Sequence, residues 1–132
     1  MCAAGAASAY GQPASVEAML IHASDRPAPL DIRMEKVEYR LRRIFGFEHY
    51  RFMGKTSAII HPPAQVRLEI HEDYVLHINA TSSNDRVRAQ VRWMQDRESL
   101  LSTSVAQRRG IPVILGGPPH EGGTLILILT FK

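Results

Sequence analysis

The sequence has a single cysteine, Cys2, among its 132 residues. One cysteine excludes an intrachain disulfide and a zinc site built from several thiolates. No apolar stretch approaches the roughly 20 residues of a transmembrane helix, so no membrane span is predicted. The patterns GxSxG, HExxH, GxGxxG and GxxxxGKS/T are absent as well. The sequence therefore predicts no catalytic residue, no metal site and no cofactor, and it disfavours an enzyme.

The net charge of the chain is also small. Sixteen lysines and arginines oppose thirteen acidic residues, which leaves a formal charge of +3. An excess this small disfavours nucleic acid as a partner. The length and the 45% hydrophobic fraction fit one globular domain, which we assign to residues 16–132.

Residues 1–15 are small, polar and without periodicity, so they are predicted to form a flexible tail. Within them, Ala7-Ser8-Ala9 has the small-x-small form of a signal peptidase site. The basic and long apolar regions of a complete signal peptide are missing, so the tail would be a signal-peptide remnant. This interpretation predicts a periplasmic or secreted protein. The alternative is an Ala/Ser-rich tail on a cytoplasmic protein.

One amphipathic helix is predicted from Asp31 to Phe45. Asp31 is the expected N-cap and Gly46 the expected residue after the helix. Glu38 and Arg42 have the i, i+4 spacing of an ion pair. Apolar residues recur at three- and four-residue spacing and would cover a sheet; they are Met34, Val37, Leu41, Ile44 and Phe45.

Strands dominate the rest of the prediction. The unbroken apolar run Leu125–Leu129 is typical of a central strand covered on both faces. Antiparallel hairpins are predicted over residues 66–80 and 86–105, and a wide, rigid loop over residues 116–123. The predicted class is α+β. One early helix would pack on a mainly antiparallel sheet or sandwich of about seven strands, with a buried C-terminal strand.

The register of the first hairpin follows from its apolar pattern. A three-residue loop would pair Ile70 with Leu76 and would set Glu69 opposite His77 on the outer face. A two-residue loop would instead place polar side chains among the apolar ones, so the three-residue loop is predicted.

Two sets of residues are candidates for binding. Arg86, Arg88 and Arg92 alternate with apolar residues, so they form a basic strip that could meet an acidic partner. The alternative is a solvated strand whose charges discourage edge pairing. The second set is a ligand-binding hypothesis based on histidines and the 116–123 loop; it comprises His71, His77 and His120.

The last third of the chain resembles the C-terminal strands of bacterial secretins. In Gly110-Ile111-Pro112-Val113-Ile114-Leu115-Gly116-Gly117, a glycine precedes an apolar strand that closes in Gly-Gly, and a later apolar strand ends at Thr130. The resemblance covers residues 86–131. It departs from the family in its shorter intervening segment and in having Phe131 in place of a proline. It implies a bacterial envelope context and transfers no site residue.

Three functional hypotheses follow. The leading one is a non-enzymatic structural or protein-binding domain of the bacterial cell envelope, with a protein partner or a second copy of itself. The second is a small-ligand-binding or enzymatic module that uses the histidines and the 116–123 loop. The third is nucleic-acid binding through the arginine-rich strand, which predicts a steep dependence of affinity on salt.

Overall fold

The computed structural model describes residues 14–27, 32–61, 64–71, 74–83 and 85–132. The predicted tail up to residue 13 and the predicted N-cap Asp31 lie outside these ranges. A 3-10 turn at Ile32–Met34 leads into one α-helix, α1, at Glu35–Phe45. The strands are β1 (Ala14–Ser24), β2 (His49–Ile60), β3 (Ala64–His71), β4 (Tyr74–Ser83), β5 (Arg86–Gln95), β6 (Glu98–Arg108), β7 (Val113–His120) and β8 (Gly123–Phe131).

The predicted α+β class is wrong, because the described residues are mostly β. The eight strands form two antiparallel four-stranded sheets, whereas α1 has only 11 residues. Sheet A has the order β2-β1-β8-β7, and sheet B has the order β3-β4-β5-β6. Apolar side chains from both sheets form one buried cluster, so the sheets pack face to face as a β-sandwich.

Strand β8 lies inside sheet A, between β1 and β7. The side chains of Leu125–Leu129 are at most 4% exposed, as the unbroken apolar run predicts. Leu125, Leu127 and Leu129 belong to the core between the sheets, whereas Ile126 and Ile128 belong to a second cluster on the other face. A strand buried on both faces cannot alternate apolar with polar residues, which explains its sequence.

Helix α1 contributes less to the fold than predicted. Leu41 is fully buried in the second cluster, and Val37 and Phe45 are partly buried there. Ile44, which the prediction placed on the apolar stripe, is 59% exposed. The helix ends as expected, with Gly46 at a φ of 74° and its N–H bonded to the Arg42 carbonyl oxygen. Arg42 also forms the predicted ion pair with Glu38, at 3.2 Å.

The predicted register of the first hairpin is wrong. Leu68 pairs with Leu76, and Arg67 rather than Glu69 lies opposite His77. The register shifts between Glu69 and His71, where β3 has one residue more than β4. This irregularity brings Leu68 and Leu76, at 5% and 0% exposure, onto the core face together.

Residues 116–120 belong to β7, so the predicted wide loop over residues 116–123 is wrong. The connection from β7 to β8 is a tight turn at Glu121 and Gly122, whose φ angles are 45° and 77°. Both values lie in the left-handed region that a type I′ hairpin turn requires. Glycines and prolines in this segment indicated a loop, yet they are tolerated here because β7 is an edge strand.

Tyr50 gives this fold a testable dependence on pH. Its hydroxyl donates a hydrogen bond to the Leu41 carbonyl oxygen at 3.0 Å, and burial raises the pKa of Tyr50. Above about pH 10 the unfolded chain loses this proton before the folded chain does, so stability falls as pH rises. We expect Tyr50→Phe to lower the free energy of unfolding by about 1 kcal/mol at neutral pH and to weaken the alkaline decrease. Urea denaturation across pH checks this.

The exposed Tyr39 supplies the matched control for this substitution. Because its side chain is 67% exposed, Tyr39→Phe should leave stability at neutral pH unchanged. An alkaline decrease that is as steep in Tyr50→Phe as in the wild type would show that another group causes it.

Candidate functional site

The outer face of sheet B displays the predicted arginines. Along β5, Val87, Ala89, Val91 and Trp93 are at most 4% exposed and point into the core. Successive side chains of a strand point to opposite faces, so the intervening residues point outward. This confirms the predicted half-buried strand. We call the outer surface of β3, β4 and β5 the basic face; it comprises Gln65, Arg67, His77, Asn79, Arg86, Arg88, Gln90 and Arg92.

Strand register arranges the basic face in rows that cross the strands. Arg67 lies opposite His77, and His77 lies opposite Arg92. Directly opposed side chains have Cβ atoms about 5 Å apart, so these three groups form one continuous row.

A second row, of side-chain amides, lies beside the first. Gln65 is opposite Asn79, and Asn79 is opposite Gln90. Each amide group offers two donor hydrogens and one acceptor oxygen. The two rows together place positive charge next to groups that can bond a peptide backbone.

The positive charge of the basic face is only partly compensated. Arg67 donates to Glu69 at 2.9 Å, and at the end of the sheet Arg108 is 3.9 Å from Asp85. Within the described ranges, Arg86, Arg88 and Arg92 form no ion pair.

The two rows line a concave surface with a volume of about 490 Å³. Its polar lining consists of Gln65, Arg67, His77, Asn79, Gln90, Arg92 and Ser102. Arg88 and Arg86 continue the charge along β5 beyond this concavity. Residues of a strand rise about 3.3 Å each, so Arg88 is about 7 Å from Arg86 and about 13 Å from Arg92.

The three predicted histidines lie in three different places. His77 is exposed on the basic face, whereas the His71 ring stacks on the buried Tyr74 ring at a centroid distance of 6.4 Å. His120 lies in sheet A, where its carbonyl oxygen accepts a hydrogen bond from His22 Nε2 at 2.7 Å. The structure brings no two of the predicted histidines together. Among the described residues, no three His, Cys, Asp or Glu side chains cluster as metal ligands would.

A small cleft at the end of sheet A was not foreseen from the sequence. It has a volume of about 140 Å³ and is lined by residues from β1, β2 and the β7–β8 turn. His22 and Ser24 are each 6% exposed there. His22, His49 and Glu121 line the cleft and are distant in the sequence, so only strand pairing shows that they are neighbours.

The described helices include none with the length and hydrophobicity that crossing a membrane requires. Ala7-Ser8-Ala9, on which the prediction of export depends, lies outside the described residues.

Comparisons with protein-family models, with curated proteins and with solved structures found no match for this chain.

Proposed function

We propose that this protein is a non-enzymatic, protein-binding β-sandwich domain and that its basic face binds an acidic, extended segment of a partner. The observation that carries the proposal is the set of three arginines of β5, which are exposed on one face and form no ion pair within the described ranges. Location in the bacterial envelope is a further prediction, which depends on residues 1–15 and on the resemblance to secretins.

Arginine suits this role because its planar guanidinium can donate two parallel hydrogen bonds to one carboxylate. A single exposed ion pair contributes only about 0–1 kcal/mol, so one arginine would not hold a partner. Several cations on one rigid strand act together, and they also increase the rate of encounter with an acidic segment.

Spacing along β5 predicts which acidic segment fits. An extended peptide advances about 3.3 Å per residue, as β5 does, so acidic residues at positions 1, 3 and 7 match the three arginines. The amide row beside them supplies donors and acceptors for the peptide backbone. The basic face therefore favours spaced acidic residues over a dense acidic block.

Nucleic acid is the less favoured occupant of the same face. Single-stranded nucleic acid is usually held by aromatic side chains on which the bases stack, in addition to positive charge. The outward-pointing side chains described on β3, β4 and β5 include no Phe, Tyr or Trp. The face thus offers charge and hydrogen bonds without a stacking platform.

Binding of synthetic peptides tests the proposal. The probe is a fluorescent peptide with Glu at positions 1, 3 and 7 and Ser elsewhere, and its anisotropy reports binding at low ionic strength. We expect the double variant Arg88→Glu, Arg92→Glu to bind about tenfold more weakly or worse, because two attractions become repulsions. Added salt should weaken binding to the wild type.

A matched variant distinguishes binding by the basic face from an effect of the net charge alone. Arg40→Glu, Arg43→Glu makes the same change in net charge on exposed positions of α1. It should retain most of the affinity. Equal losses in the two double variants contradict the proposal, as does tighter binding of a single-stranded DNA with the same number of charges.

A further inference from the structure

Strand β6 is an edge strand with an uncharged middle. In the described chain it pairs only with β5, and part of it lies near β7, so the backbone donors and acceptors on its other side have no strand partner there. Between Glu98 and Arg108 the sequence Ser-Leu-Leu-Ser-Thr-Ser-Val-Ala-Gln contains no charge, no proline and no glycine. A long edge of this kind is a template for pairing with another strand.

Two of the other three sheet edges carry features that discourage pairing with a further strand. Edge strand β3 carries the Arg67–Glu69 ion pair and the register irregularity, both of which discourage pairing. On β7, Pro118 and Pro119 have no N–H to donate. In the middle of β2, Gly54 packs closely against β3, since a Cβ there would lie 2.5 Å from the Ile70 carbonyl oxygen.

We propose that two copies of this domain associate through β6, in antiparallel pairing about a two-fold axis at Thr103. Thr103 is the midpoint between Glu98 and Arg108. Such pairing sets Leu101 opposite Val105 of the second copy, and Ser102 opposite Ser104 of the second copy. Leu101 and Val105 are only partly buried against the core in one copy, and pairing would cover them further.

Charge complementarity favours a second copy as the occupant. One end of β6 carries Asp96, Arg97 and Glu98, a net charge of −1, whereas the other end carries Arg108 and Arg109. Antiparallel pairing about Thr103 brings the acidic end of each copy beside the basic end of the other. Glu98 then lies opposite Arg108 of the second copy, which is an attraction at both ends of the joined strands, whereas Arg97 lies opposite Arg109 and offsets part of it.

Association through β6 also doubles the basic face. A two-fold axis at right angles to the sheet leaves the outer faces of both copies on the same side. The two β5 strands are then three strand spacings apart, about 14 Å. This distance exceeds the Debye length of about 8 Å at physiological ionic strength, so the two sets of arginines repel each other weakly.

Sedimentation velocity over a wide range of concentrations tests this interface. We expect the wild type to dimerise with rising concentration, and Ser104→Lys to dimerise about tenfold more weakly or worse, because it places two added charges near the axis. Ser104 is exposed, so the substitution does not disturb the core. Thr81→Lys, exposed on β4, is the matched control and should dimerise as the wild type does.

Cross-linking gives a second readout that depends on the register. In a Cys2→Ser background, Thr103→Cys meets its own counterpart at a Cα distance of about 5 Å, which a disulfide can bridge. Ser104→Cys is about 8 Å from its counterpart and should cross-link poorly. A wild type that stays monomeric, a Ser104→Lys variant that dimerises unchanged, or equal cross-linking at both positions overturns the proposal. None of these outcomes depends on whether the basic face binds acidic peptides.

Discussion

Removal of residues 124–132 is expected to abolish cooperative folding of the whole domain. The deletion takes away most of β8, which pairs with β1 on one side and with β7 on the other. It also removes six side chains that are at most 4% exposed, from Leu125 to Leu129 and at Phe131. Each fully buried side chain of this size contributes about 1.5–3 kcal/mol, so the six together contribute about 9–18 kcal/mol, which is comparable to the usual stability of a domain, about 5–15 kcal/mol.

Circular dichroism during thermal and urea denaturation measures this effect. The truncated chain should show no cooperative transition. The comparison is a chain without residues 1–13, which leaves every described strand complete and should unfold cooperatively. A soluble protein that lacks residues 124–132 and still unfolds in one sharp transition would contradict the central position of β8.

The substitution Trp93→Ala is expected to produce the largest loss of stability of any single core change. Trp93 is fully buried in the core between the sheets. Its ring packs edge-on against Tyr74 at a centroid distance of 6.2 Å and lies where a Cβ at Gly117 would clash. Truncation leaves a large cavity between the sheets, and we expect the free energy of unfolding to fall by about 3–5 kcal/mol.

Urea denaturation followed by circular dichroism measures this loss, since the variant has no tryptophan fluorescence. Trp93→Phe is the control that separates ring volume from the indole N–H. That Nε1 atom is buried and has no hydrogen-bond partner in the described part of the chain, so its removal forfeits no bond. Trp93→Phe should therefore cost much less than Trp93→Ala. Equal costs would show that the interior does not pack tightly around the ring.

Local periodicity of the sequence was sufficient to predict the strands whose two faces each keep the same environment along their whole length. Strand β5 alternates apolar and polar residues because one face is buried, and β8 is apolar throughout because both faces are. Pattern and environment have the same period, so the sequence predicted both strands. The outward direction of Arg86, Arg88 and Arg92 followed from the same alternation.

Features that depend on pairing between distant segments could not be predicted in this way. The partner of His77 is Arg67 rather than Glu69, because His71 pairs with Tyr74 and the register then shifts by one more residue between Glu69 and His71. The extended course of residues 116–120 is set by pairing with β8, which overrides the preference of Gly and Pro for loops. The α+β prediction failed for a different reason, because it gave too much weight to one helix of 11 residues in a chain that is mostly β.

The candidate site also combines features that the local sequence pattern predicted with features that depend on strand pairing. Alternation along β5 predicted the arginines, but the row of Arg67, His77 and Arg92 exists only through the registers of two strand pairs. The amide row gave no signal in the sequence, because Gln65, Asn79 and Gln90 are ordinary outward residues of three separate strands. The ligand-binding hypothesis for His71, His77 and His120 was based only on the chemistry of histidine, and the fold places these three residues apart.

Chemical-shift mapping by NMR tests the central claim, that the basic face is the binding surface, most directly. Isotope-labelled protein is titrated with the peptide that has Glu at positions 1, 3 and 7, and a peptide with three adjacent Glu residues is the control. We expect the largest shifts at Arg88, Gln90 and Arg92 and at their neighbours on β4, with larger shifts from the spaced peptide. Shifts concentrated on α1 or sheet A, or no shifts at low ionic strength, would contradict the claim.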